Sequence, residues 1–154
     1  MQFASLPSPD QAWRLHRRVL PHHTDHAGVM WHGAYLAWLE EARVEALATA
    51  GLAYSVLSGR GLELPVVRLS ITYLAPLMHG DQVEVRSVVR PRRGLRFPWQ
   101  SWFIGPADNV AAEALVELVL VDFSAGADKR RLLRHPPGDL ATALRALAEG
   151  PIPG

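Results

Sequence analysis

Apolar residues recur along this chain with two different periods, and the changes between them mark its elements. Residues 14–20 set Leu15, Arg17 and Val19 against Arg14, His16 and Arg18, the alternation of a short strand with one wet face, and Pro21 ends it. Residues 21–33 mix turn formers and histidines with Val29, Met30 and Trp31 at no regular period, which predicts an irregular loop. The period then lengthens. Tyr35, Leu39, Ala42, Ala46 and Ala50 fall in one stripe with Glu41 and Glu45 opposite, predicting a helix over 34–50 with Gly51 as its C-cap. Alternation returns over 66–74 and stops at Ala75-Pro76, and after a turn at Gly80-Asp81 come three further β-like runs, 82–90, 95–104 and 110–123. The last run is Ala-rich and helix-compatible in its first half, but Leu118, Val119, Leu120 and Val121 favour strand. A short helix is expected over 138–148. One strand, a long loop, one long helix and four strands in a row call for an α+β fold with an antiparallel sheet packed on the helix.

Composition narrows the classes. A chain of 154 residues, 49% hydrophobic and 20% charged, fits one packed domain spanning 1–154, with Pro-containing tails at 1–12 and 150–154. The absence of cysteine excludes disulfides, thiolate zinc sites and a cysteine nucleophile. No basic segment precedes an apolar run near the start, and Glu113, Glu117 and Asp122 interrupt the most apolar later stretch, so neither export nor a membrane span is expected and the cytoplasm is the default. A net charge of +1 gives no whole-chain case for nucleic acid or an anionic membrane as partner.

Chemistry concentrates at residues 23–43. A helix N-terminus presents unpaired N–H groups and a partial positive charge, which can polarise a carbonyl oxygen. Asp25, in the loop feeding that terminus, can attack the same carbonyl carbon or activate water on it. Taken alone, Asp25 is equally a turn residue that bonds local backbone, and His32 a packing or capping histidine. His22, His23, His26 and His32 could bind a metal with Asp25, but adjacent His22 and His23 rarely point the same way, so no metal is expected. Glu40 and Arg43, three apart on the helix, read as an intrahelical ion pair. Trp31, Trp38, Trp99 and Trp102 read as core or interface aromatics, with Trp31 also placed to line a pocket. Arg90, Arg92, Arg93 and Arg96 surround Pro91 and Gly94 in a turn between strands, either a charged hairpin or a phosphate-binding fork.

The stretch His23-Thr24-Asp25-His26-Ala27-Gly28-Val29-Met30-Trp31-His32-Gly33-Ala34-Tyr35-Leu36, followed by Leu39-Glu40-Glu41-Ala42-Arg43, closely resembles the motif of the 4-hydroxybenzoyl-CoA thioesterase branch of the hotdog proteins. A fainter likeness continues from Val67 through Pro76 and at Gly80-Asp81. The resemblance implies a hotdog fold, a five- or six-stranded antiparallel sheet wrapped around one long central helix. It implies an acyl-CoA thioesterase with Asp25 as nucleophile or general base and the backbone N–H at His32 as the oxyanion site, where the His32 side chain orients substrate or water. Gly28, Val29 and Trp31 would lie against the acyl group, and Arg90, Arg92 and Arg93 against the coenzyme A phosphates. No cofactor is implied beyond the coenzyme A of the substrate. The acyl group would be aromatic, as in 4-hydroxybenzoyl-CoA or 1,4-dihydroxy-2-naphthoyl-CoA, or short and aliphatic, and the protein a homodimer or homotetramer. The alternatives are a hotdog dehydratase acting on 3-hydroxyacyl thioesters and an acyl-CoA binding protein without turnover.

Overall fold

A computed structural model describes residues 5–151, so the outermost parts of the two expected tails lie outside the described residues. Five strands, β1 (Trp13–Arg18), β3 (Val66–Tyr73), β4 (Gln82–Val89), β5 (Phe97–Ile104) and β6 (Val110–Leu118), form one antiparallel sheet in the order β1-β4-β5-β6-β3. Helix α1 (His32–Thr49) is central and buries Ala34, Tyr35, Trp38, Leu39, Ala42, Ala46 and Leu47 in the core. These positions are one stripe of a 3.6-residue repeat, which is why the sequence period is visible. The inner sheet face answers with Trp13, Leu15, Val83, Val85, Trp99, Phe103 and Val116. Its one polar cross-strand pair, Ser87 and Ser101, is satisfied internally by a 2.7 Å hydrogen bond between the hydroxyls. This is the hotdog architecture that the motif implies.

The helix stops as its sequence predicts. Gly51, at φ +110°, takes the left-handed position after α1; its N–H reaches the Ala48 carbonyl at 3.1 Å and the Leu52 N–H reaches Leu47 at 3.1 Å, while Leu47 and Leu52 are both buried. At the other end α1 begins at His32, two residues before the expected start.

Three features depart from the expected order. A helix α2 (Tyr54–Gly59) and a strand β2 (Leu62–Glu63) intervene between α1 and β3. The run 110–123 is not one strand: β6 ends at Leu118, and β7 (Val121–Asp122) pairs with β2 and with β8 (Arg131–Leu132) in a second small sheet. The change falls where Pro65 precedes β3, and a bulge between Val66 and Arg68 shifts the register. Proline has no N–H to give to the ladder, though its carbonyl still accepts the Val119 N–H at 3.2 Å. Strand β5 starts at Phe97 rather than Leu95, because Arg93 and Arg96 exchange backbone hydrogen bonds of 2.9 and 3.0 Å around Gly94 at φ +61°. The expected C-terminal helix is α3 (Gly138–Glu149), fixed to β1 by a 2.9 Å bond from the Trp13 indole N–H to the Leu147 carbonyl. Beyond this, Pro9–Gln11 forms a 3-10 turn, and the Pro7 carbonyl accepts a 3.0 Å bond from Arg86.

Candidate active site

The irregular loop is built by hydrogen bonds that its own sequence supplies. The Asp25 N–H bonds the Val29 carbonyl at 2.8 Å, and its Oδ1 accepts from the N–H groups of Ala27 at 2.9 Å and Val29 at 3.1 Å. Gly28 closes this loop at φ +78°, a conformation that L side chains adopt rarely. Outside bonds then seat the loop on the body of the protein. The Met30 N–H reaches the Leu77 carbonyl at 2.7 Å, the His79 N–H reaches Gly28 at 2.9 Å, and the Trp31 N–H reaches His23 at 3.0 Å.

Asp25 is exposed, and the two backbone donors, Val29 first and Ala27 second, hold its carboxyl below the ordinary carboxylate range. It is therefore ionised at neutral pH. Oδ1 is occupied with shaping the loop, while no described residue hydrogen-bonds Oδ2. The turn-residue reading and the reactive reading of Asp25 thus describe different oxygens of one carboxylate.

At the helix start Trp31 occupies the cap position, yet no side chain caps the helix. Its carbonyl accepts the Ala34 N–H at 3.0 Å, and among the described residues nothing engages the N–H groups of His32 and Gly33. The Trp31 ring packs over Gly33 so closely that a Cβ there would lie 2.3 Å from the indole edge, and it meets the His32 ring edge-on at 5.2 Å. Gly33 is therefore what lets an aromatic ring lie over the first helical turn.

Asp25, Val29, Met30, Trp31, His32 and Tyr35 form one wall of an open groove of about 700 Å³, and Tyr73, Leu74, Ala75 and Pro76, at the end of β3, form the other. Tyr35 is buried, with its ring edge-on to Tyr73 at 5.0 Å and to Phe103 at 4.9 Å, and burial pushes its phenol up to about 12. It remains a neutral donor. Tyr73, 52% exposed, stands at the free edge of the sheet. Sequence reasoning had no part for Tyr73 to Pro76. Their strand-and-break pattern is legible, but only the fold brings the end of β3 opposite residue 25.

Gly28 shapes the loop without lining the groove, whereas Asp25, Val29, Trp31 and His32 meet there. Arg90, Arg92 and Arg93 do not. They lie in the β4–β5 hairpin, at the opposite end of the sheet from the Gly80-Asp81 turn that abuts the loop. Arg90 is engaged with Gln100 at 2.6 Å, Arg96 with Glu117 at 2.6 Å, and the Arg92 guanidinium lies 4.6 Å from the Phe97 ring centroid. The pair expected between Glu40 and Arg43 is not formed: none of the salt bridges among the described residues joins them. The rings of His22 and His23 do lie together, with centroids 3.9 Å apart, contrary to the expectation that neighbouring histidines diverge; His23 Nδ1 accepts the Leu20 N–H at 3.0 Å and its ring meets Trp38, and among the described residues no three His, Asp or Glu side chains gather as metal ligands.

Residues 19–144, which carry the loop, α1 and the whole sheet beyond β1, match the thioesterase-like superfamily. The chain belongs to that family. Among the relatives of this thioesterase-like chain is sll0410 of Synechocystis sp., which carries a provisional esterase designation and is 36% identical over 116 residues, 75% of this chain and 70% of its own. The acyl-CoA thioester hydrolase YbgC of Escherichia coli O6:H1 is 28% identical over 105 residues, covering 68% of this chain and 78% of its own. In architecture the chain is similar to Slr0204, a 1,4-dihydroxy-2-naphthoyl-CoA thioesterase from Synechocystis, with a TM-score of 0.76 at 24% identity over 88% of this chain and 97% of that one.

Proposed function

We propose that this protein hydrolyses an acyl-CoA thioester to a carboxylic acid and free coenzyme A. The observation that carries this reading is the meeting, in one open groove, of an ionised Asp25 with His32, whose backbone N–H at the start of α1 is unengaged among the described residues. A thioester carbonyl set between them would have its oxygen polarised by the helix terminus, where negative charge develops in the transition state. Oδ2 of Asp25 would then attack the carbonyl carbon or take a proton from the water that does. In the first case the thiolate leaves and an anhydride forms, which water opens; in the second the water oxygen adds directly and the thiolate leaves. Both routes end in the same acid and thiol, and neither calls for a resident metal or redox cofactor.

The acyl group would lie against Val29, Trp31, Tyr35 and Tyr73, surfaces suited to an aromatic acyl group such as 4-hydroxybenzoyl or 1,4-dihydroxy-2-naphthoyl, with short aliphatic groups also accommodated. The groove opens at the free edge of β3, where Val66, Val67, Leu69, Tyr73 and Leu74 are exposed. An apolar edge of this kind invites a second copy, so the working unit is read as a homodimer, or a tetramer built from it. Two β3 edges paired antiparallel would carry the β4–β5 hairpin of one subunit toward the Asp25 end of the other. Arg92 and Arg93 would then meet coenzyme A phosphates across the interface. The test is release of free thiol from a panel of aromatic and short aliphatic acyl-CoA esters. Steady turnover on at least one is expected; binding without thiol release, or dehydration of a 3-hydroxyacyl-CoA in its place, would overturn the reading.

A further inference from the structure

Gly33 stands at the second position of α1, where nothing in the backbone calls for glycine. Its φ lies outside the left-handed region that Gly28 and Gly51 occupy, and glycine is a poorer helix former than alanine. What the missing side chain provides is room. A Cβ on residue 33 would overlap Cη2, Cζ2 and Cζ3 of Trp31, so the six-membered half of the indole rests where that carbon would be. The backbone of Trp31 is held at both ends: its N–H bonds the His23 carbonyl at 3.0 Å and its carbonyl accepts the Ala34 N–H at 3.0 Å. Only its side-chain torsions are left to answer a change at residue 33. With Trp31 46% exposed, the ring can leave this seat without disturbing the core.

The seat faces the groove. Trp31 and His32 are both in its wall, their rings edge-on at 5.2 Å, and Tyr35 and Tyr73 add two further rings, edge-on to each other at 5.0 Å. Given the hydrolytic reading of the groove, on which this assignment rests, the thioester carbonyl lies at the His32 N–H. The atoms attached to the carbonyl carbon then fall first against the indole of the preceding residue. Stacked and edge-on ring contacts favour a flat partner, whereas a tetrahedral carbon in that place holds its substituents off the ring face. We infer that Gly33 is a positioning residue for substrate choice: by seating the Trp31 ring on the first turn of α1, it makes the groove select acyl groups whose carbon next to the carbonyl is planar, as in an aroyl thioester, over saturated groups of the same size. Gly33 touches no substrate in this scheme and acts only through Trp31.

The probes are phenacyl-CoA and its cyclohexyl ketone counterpart, thioethers that keep the carbonyl, cannot be hydrolysed and differ only in a flat against a puckered six-carbon ring. The intact parent should bind the phenacyl compound roughly threefold to tenfold more tightly, the size of a single aromatic contact. Gly33→Ala and Trp31→Ala should each bring that ratio close to one. The double variant should go no further than Trp31→Ala alone, because a residue that acts through another is not additive with it. Trp31→Phe combined with Gly33→Ala, a smaller ring beside the new methyl, should recover part of the preference. Trp13, Trp38, Trp99 and Trp102 are buried, so iodide quenching of the intrinsic fluorescence reads Trp31, and it should rise in Gly33→Ala as the ring leaves its seat. A parent that binds both probes equally, a preference that survives Gly33→Ala, or additive effects of the two alanine substitutions overturns the inference. Turnover separates it from the reading it rests on. Equal kcat/KM for benzoyl-CoA and cyclohexanecarbonyl-CoA would leave hydrolysis standing and overturn the seat, whereas ring-selective binding with no thiol released would support the seat and overturn hydrolysis.

Discussion

Oδ1 of Asp25 holds the loop while Oδ2 has no hydrogen-bond partner among the described residues, and that separation makes its substitution informative. An asparagine at 25 keeps an acceptor for the N–H groups of Ala27 and Val29, so the loop should retain its shape while the negative charge is lost. Asp25→Asn is expected to lower kcat by roughly 10² to 10⁴ if the residue is a general base, and by more if it is a nucleophile. The thermal midpoint and the affinity for a non-hydrolysable acyl-CoA analogue should change little; parent turnover in a folded variant would remove Asp25 from the mechanism. His23 offers a test of a different kind. Burial, with a further contribution from His22 and against an opposing one from Glu41, lowers its pKa below 6.5, in keeping with Nδ1 serving as acceptor for Leu20. Between the lowered folded value and 6.5 the unfolded chain binds more protons than the native one, so this contribution is fully present above pH 6.5 and is lost as pH falls toward the folded value. Replacing His23 by Asn, which can offer an amide oxygen to the same N–H without titrating, should flatten the decline of the melting temperature between neutral pH and about pH 5. An unchanged slope in that variant would assign the decline to other groups.

At the scale of elements, what could be read in advance was what periodicity and punctuation control. The stripe on α1, its end at Gly51, the alternation in β1 and β4, and the helix α3 all follow from residues close in sequence. The short strands β2, β7 and β8 do not, because two-residue strands carry no period, and each exists only through its partner across the small sheet. The division of 110–123 was hidden for the same reason: Val121 and Asp122 pair with β2 and β8, which lie elsewhere in the sequence. That Asp25, Val29, Trp31 and His32 meet was legible because residues 25–35 are one continuous segment, while Arg43 was misread because helical spacing suggests an ion pair with Glu40 that is not formed among the described residues. The β4–β5 hairpin tests the reach of the motif resemblance. With Arg90 and Arg96 engaged internally, Arg92 and Arg93 remain as the proposed phosphate contacts, and replacing both by Ala should raise KM for acyl-CoA several-fold with little effect on kcat, since contacts equal in ground and transition states contribute uniform binding. An unaltered KM would leave the turn a charged hairpin.

For the whole molecule, the decisive surface is the free edge of β3. The outer edge of β3 presents Val66, Val67 and Leu69 exposed around a single charge, Arg68, and an edge strand of this composition is a template for strand pairing. The parent should therefore have at least twice the 17.0 kDa chain mass by light scattering at micromolar concentration. Val67→Glu with Leu69→Glu should shift it to the monomer and depress thiol release together. A parent that is monomeric and fully active would contradict the shared-edge reading.

The groove also has two walls of different descent along the chain. One is the loop and helix start, tied together by the hydrogen bonds around Asp25 and by the Trp31 ring over Gly33; the other is Tyr73 to Pro76, which takes no part in those bonds. On the proposed reading, substitutions at Tyr73 to Pro76 would change the acyl group accepted while leaving intact the hydrogen bonds that hold Asp25, so specificity and carboxylate placement could vary independently.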